Sequence, residues 1–183
     1  MAEKLHRAFV CIDFPDEVIK EVARVQGLLE NIKFIGKMTE LENLHLTLKF
    51  LGEINDNKLR EVKRRLLDIR LEKFESKLDG IGIFSYHGNP RIVWIKIGGR
   101  GIFELQKRID ESLMDLFKPE ERFMSHMTIA RIKYNKDKIG FKRFIDGIKL
   151  KDIRFGVEVF KLKTSELMEM GPVYRDVEIY ESD

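Results

Sequence analysis

The sequence predicts a single domain of mixed helices and strands, built as two similar halves, and three observations predict it. The chain has 183 residues, 43% hydrophobic and 36% charged, which suits one globular unit or two small lobes sharing a core. Apolar periodicity runs strand, helix, strand, helix, strand in each half. The middle strand of each half carries the same pattern, His-x-Thr-x: His45-Leu46-Thr47-Leu48 (45–48) and His126-Met127-Thr128-Ile129 (126–129).

The elements follow in order. RAFVCIDF (7–14) reads as a strand, ended by Pro15, which opens a helix with Val18, Ile19, Val22, Val25 and Leu29 at helical spacing. NLHLTLKFLG (43–52) alternates strictly, which predicts Leu44, Leu46, Leu48 and Phe50 on one face and His45, Thr47 and Lys49 on the other. Leu59, Val62, Leu66, Leu67 and Ile69 form the inward stripe of a helix over 56–70, and FESKLDGIGIF (74–84) follows as a strand. After the turn residues 85–90 comes the strand RIVWIKI (91–97). A helix over 101–117 then shows Ile102, Leu105, Ile109, Leu113 and Leu116 as its stripe. HMTIARIKY (126–134) is a strand, 136–148 a helix and 152–164 a strand. Spacings within the halves differ, so the repeat is architectural and not a tandem array.

Composition excludes several classes. Lys and Arg number 34 against 31 Asp and Glu, leaving +3, so the whole-molecule field argues only weakly for an anionic partner. Heavy, balanced charge with only Gln26 and Gln106 as glutamines resembles the usage of thermophile proteins. One cysteine, Cys11, excludes an internal disulfide and reads as a small buried hydrophobe. No apolar run is long enough to span a bilayer, and the charged start Met1-Ala2-Glu3-Lys4 lacks a signal-peptide core. A soluble cytoplasmic protein, monomeric and without membrane contact, is expected.

The chemistry sits in the repeated tetrapeptide. On a strand, residues i and i+2 point the same way, so each histidine shares a face with its threonine. Two such faces opposed across a cleft would surround a small tetrahedral anion with two imidazoles and two hydroxyls. Opening a cyclic phosphodiester needs water deprotonated as it attacks phosphorus, and a ribose oxygen protonated as it leaves. Two groups titrating near neutrality suit that task. A metal site is not expected: no close His-x-x-x-His spacing occurs and the thiol stands alone. His6, near a terminus, and His87, in a turn, read as solvated surface residues. Among basic residues, Lys49, Arg7, Arg91 and Arg100 are candidates to receive an RNA backbone. Phe84, Tyr86 and Trp94 are candidates to stack on a base, although Trp94 reads more readily as core.

HLTLKFLGE (45–53) and HMTIAR (126–131) resemble the paired signatures of the two-histidine (2H) phosphoesterases, in particular the RNA 2′,3′-cyclic phosphodiesterases formerly called 2′-5′ RNA ligases. The opening RAFVCIDFPDEV and the closing LKTSELMEMGPVYRDVEIY are similar to that family's ends, so the resemblance covers nearly the whole chain. It implies an α+β, bilobal fold of two pseudo-symmetric lobes within a single catalytic domain over 1–183, each with an antiparallel sheet and flanking helices, and an active-site cleft between them. It implies that His45 is the proton donor, His126 the proton acceptor, and Thr47 and Thr128 the phosphate holders, with no cofactor. The product would carry a 2′-phosphate, and reverse 2′-5′ ligation is open. Ser125 stands where the family usually has proline. Arg131 matches a family arginine that binds phosphate or ribose, but strict alternation puts offset five on the face opposite His126, so a bulge or the strand's end has to intervene. The substrate alternatives are 2′-5′ oligoadenylate and a cyclic ADP-ribose phosphate, and the alternative class is a non-catalytic RNA-end-binding module.

Overall fold

In the computed structural model, which describes residues 4–169 and 171–182, nine strands and four helices are assigned among the described residues. The charged start at 1–3 lies outside them. In chain order they are β1 (Leu5–Asp13), α1 (Asp16–Leu29), β2 (Ile35–Met38), β3 (His45–Asn55), α2 (Asp56–Leu67), β4 (Phe74–Tyr86), β5 (Asn89–Gly98), α3 (Arg100–Leu113), β6 (His126–Tyr134), α4 (Lys138–Gly147), β7 (Arg154–Val157), β8 (Val159–Met168) and β9 (Gly171–Glu181). The fold is α+β with a curled antiparallel sheet.

The strand order is β7-β4-β5-β6-β3-β1-β8-β9, with β2 also on β6. The lobes are therefore not the two halves of the sequence. The closing hairpin β8–β9 joins β1 and β3, while β4 and the short β2 join the lobe of β5 and β6. The two sheets expected from the resemblance also meet in one ladder, through the Cα pair Leu46↔Met127. Beyond that pair β3 diverges from β6, and β2 takes up the edge of β6 from Ala130 to Tyr134. An open edge on β6 would leave unpaired backbone groups, and β2 closes it over this stretch.

The helices cover one face of the sheet. Val18, Val22, Val25 and Leu29 of α1, Val62 and Leu66 of α2, Ile102, Ile109 and Leu113 of α3, and Phe141 and Ile145 of α4 are buried in one cluster with Val10, Leu46, Leu48, Ile95, Met127 and Ile129 of the sheet. Apolar burial on this scale, at about 25 cal/mol per Å², fixes this face of the sheet against the helices and leaves the other face open. That other face carries the histidines.

Strict alternation fails twice in β3, and the first failure reshapes the site. Opposite β1 the pairs run Cys11↔Thr47 and then Val10↔Lys49, so Leu48 is an extra residue and β3 bulges there. Lys49, expected beside His45, consequently turns to the core side and is 4% exposed, ion-paired with Asp110 of α3 and donating to the Lys118 carbonyl at 2.9 Å. Phe50, expected with the leucines, is 70% exposed. A second irregularity passes over Leu51, where Gly52 takes a φ of +70° that L side chains rarely adopt. The strand β6 bulges at the equivalent place: Trp94↔Thr128 is followed by Val93↔Ala130, leaving Ile129 extra.

Candidate active site

The junction of β3 and β6 sets the geometry. Leu46 and Met127 are partners and both are fully buried, so their sequence neighbours lie on the opposite face. Stepping one residue each way in an antiparallel ladder places His45 across from Thr128, and Thr47 across from His126. The two imidazoles then occupy one diagonal of a small square and the two hydroxyls the other. Diagonal neighbours in a flat ladder lie about 7–8 Å apart, and β3 diverges from β6 beyond the Leu46↔Met127 pair.

Both histidine rings are held alike. His45 Nδ1 lies 2.8 Å from the Asn43 carbonyl and His126 Nδ1 lies 2.7 Å from the Met124 carbonyl. A carbonyl only accepts, so in each ring Nδ1 carries the hydrogen and Nε2 is left to exchange a proton. Their surroundings differ. His45 is packed between Phe9 (ring centroids 4.9 Å) and Tyr174 (5.1 Å, edge-on). His126 meets Phe84 edge-on at 5.1 Å and Trp94 at 6.5 Å. Burial lowers the pKa of His45, helped by the charges of Lys163 and Arg131 and opposed by the Asn43 carbonyl and Asp13.

The wall behind His45 is ionic. Asp13, its cross-strand partner, binds Lys163 through both oxygens (2.7 and 2.8 Å) and Lys161 at 2.9 Å, and Asp176 binds Lys161 at 2.7 Å. Burial alone would lower Lys161, but Asp176 and Asp13 hold it above the ordinary lysine range. Cys11 beneath them is fully buried and burial pushes its thiol well up, which keeps it inert.

Arg131 reaches the site face because of the bulge at Ile129: it is exposed between buried Ala130 and Ile132, and its charge is felt at both His45 and Tyr174. Ser125 is buried, and its carbonyl accepts from the Ile97 amide at 3.1 Å. Trp94 sits opposite Thr128 with its indole over Gly82, where a Cβ would lie 2.5 Å from the ring. It is half-buried on the site face and not in the core. Arg91 donates to the Lys133 carbonyl and Arg100 pairs with Glu104. His6 lies within β1 and its ring is 2.7 Å from Asp56, so it is not the solvated terminal residue expected. Phe9 and Tyr174 were not found from sequence. Phe9 could have been placed by alternation with Cys11, but Tyr174 depends on how β9 folds back. No group of three or more His, Cys, Asp or Glu that could hold a metal ion occurs among the described residues.

Comparison with known proteins gives a consistent picture. The model of the LigT-like phosphoesterases matches residues 12–94, a stretch that includes the first motif and ends before the second. A protein of Methanocaldococcus jannaschii named RNA 2′,3′-cyclic phosphodiesterase is 38% identical over 92% of this chain and 96% of its own length. One of the same name from Archaeoglobus fulgidus is 33% identical over 96% and 99%. Among solved structures, TT0787 of Thermus thermophilus superposes with a TM-score of 0.81 at 28% identity, covering 96% of this chain and 97% of that one.

Proposed function

The chain belongs to the LigT-like phosphoesterases and is a cyclic phosphodiesterase, and on that premise we propose that it opens 2′,3′-cyclic phosphate ends of RNA to 2′-phosphomonoesters by acid–base catalysis between His45 and His126. The observation that carries the proposal is the junction Leu46↔Met127, which draws both His-x-Thr pairs onto one face around one point.

In this reading His126 Nε2 takes a proton from water as the oxygen attacks phosphorus. The bond from phosphorus to the 3′ oxygen breaks, and that oxygen takes a proton from His45 Nε2. Water is thereby split between the phosphate and the ribose, and solvent returns each ring to its starting state. Each proton transfer contributes on the order of 10²–10⁴ in rate. Thr47 and Thr128 donate to the nonbridging oxygens, and Arg131 adds positive charge as phosphate charge builds up.

One observation favours the opposite division of labour. Burial lowers the His45 pKa and so favours the neutral form that a base requires, and a protonated His45 would rely on the anionic substrate to offset the loss of water. A cyclic substrate with sulfur in place of the 3′ oxygen separates the two, because a thiolate leaves without a proton. His45→Ala should retain far more activity than His126→Ala on that substrate, and the reverse pattern exchanges the labels.

The reading as a whole is tested with a 2′,3′-cyclic nucleotide in EDTA, the product being assigned by phosphorus NMR. A 2′-phosphate is expected, with turnover nearly abolished in His45→Ala and in His126→Ala while the fold persists. A 3′-phosphate product, near-normal rates in either variant, or turnover confined to 2′-5′ oligoadenylate would overturn it.

A further inference from the structure

A single exposed apolar side chain is ordinary on a protein surface, so the exposure of Phe50 alone means little. Its neighbours give it meaning. The ring lies 6.4 Å from Phe9, its partner in the β1–β3 ladder, and Phe9 in turn touches His45 and Tyr174. Two residues before Phe9, on the same face of β1 and about 7 Å along it, stands Arg7. Arg7 is exposed and makes no ion pair or hydrogen bond among the described residues, including none with Glu53 opposite it. Its charge nevertheless reaches the Tyr174 phenol against His45.

Leading away from the reacting centre, the first lobe therefore offers an open aromatic face followed by an uncommitted guanidinium. The second lobe offers less in the corresponding direction. Tyr86 is exposed, but its ring packs on His87 at 4.2 Å, and Arg91 is engaged by a carbonyl. Single-stranded RNA is held by such a pairing of stacked bases and cationic contacts to phosphodiesters.

We propose that Phe50 and Arg7 form a subsite for the nucleotide preceding the cyclic end, Phe50 stacking on its base and Arg7 pairing with a phosphodiester of the RNA chain. This rests on the RNA-end reading above. It makes the enzyme prefer an oligonucleotide end to a free cyclic mononucleotide, which has neither group to offer.

The test compares kcat/KM for a cyclic mononucleotide and for a short oligoribonucleotide ending in the same cyclic phosphate, in the intact protein and in Phe50→Ala, Arg7→Gln and Tyr86→Ala. Wild type is expected to favour the oligonucleotide. Phe50→Ala and Arg7→Gln should each cut oligonucleotide kcat/KM by roughly 10-fold, through KM, with mononucleotide turnover and Tm unchanged. Arg7→Gln should also reduce the salt slope of oligonucleotide binding by about one. Equal effects on both substrates, no effect, or loss of the preference in Tyr86→Ala instead would overturn the subsite. Mononucleotide turnover without an oligonucleotide preference would sink the subsite alone, whereas turnover of neither substrate would sink the RNA-end reading itself.

Discussion

Replacing Lys49 by methionine and Asp110 by alanine, singly and together, tests whether a buried ion pair holds the bulge that re-aims β3. The ammonium is almost wholly enclosed and, among the described residues, meets only the Asp110 carboxylate and the Lys118 carbonyl. Asp110 also accepts from Gln106 Nε2 at 2.8 Å and from the Glu120 amide at 2.9 Å. Lys49→Met keeps the aliphatic stem and leaves the carboxylate two neutral donors. Asp110→Ala leaves a buried ammonium with one carbonyl and frees two further donors. Breaking one side of a buried pair costs about 3–5 kcal/mol, and on this count Asp110→Ala falls at the upper end and Lys49→Met at the lower. The double variant removes both charges, so it should lose clearly less than the sum, with a coupling of about 2 kcal/mol or more. Urea unfolding reads each loss as a shift in midpoint at constant m. Burial alone would raise the Asp110 pKa, but Lys49, the Glu120 amide and Gln106 together hold it below the ordinary range. A depressed carboxyl stabilises above its unfolded value, about 3.9, and that gain fades as pH falls through the folded value, so the cost of Lys49→Met should shrink in acid. Losses that add to within about 0.5 kcal/mol in the double variant would refute the reasoning.

Two further predictions concern the histidine site. The His45 ring, titrated by NMR in the ligand-free protein, should have an apparent pKa below the ordinary value of about 6.5, since burial opposes its charge. A depressed histidine stabilises the fold above its unfolded pKa and loses that contribution as pH falls through the folded one, so His45→Asn should flatten this part of the stability profile. A His45 value at or above 6.5 would show that the packing by Phe9 and Tyr174 does not desolvate the ring. Gly82→Ala would drive a methyl group into the Trp94 indole and should cost about 1–3 kcal/mol. Tryptophan fluorescence should shift with it, Trp94 being the sole tryptophan, and an unchanged spectrum at unchanged stability would show that the indole is not seated on that glycine.

Periodicity served well wherever one residue followed another on an even pleat. It placed the paired His-x-Thr faces, the helical stripes of Val18 to Leu29 and of Ile102 to Leu113, and the bounds of β1 and β3 to β6 to within a few residues, but it ran β7 and β8 together as one strand over 152–164 and gave neither β2 nor β9. It misplaced Lys49 and Phe50 because a bulge adds a residue without leaving a mark in the count of apolar positions. It could not see Tyr174 against His45, or β4 and β8 crossing into each other's half, because both follow from long-range strand pairing.

The bulges themselves carry the last step. Leu48 and Ile129 each lie three residues after their histidine, so both strands shift register at the same offset and the residue at offset five returns to the site face in both. In β3 that residue is Phe50, and in β6 it is Arg131. The backbone symmetry is therefore broken by chemistry at one matched position, with an apolar ring on the strand of His45 and, on the strand of His126, a cation whose charge reaches His45. A phosphate between two equivalent His-Thr pairs could bind in either sense. In the reaction proposed above, Arg131 would attract the phosphate charge and Phe50 would stack on a base, so this pair of offset-five residues would give an RNA end one direction of entry.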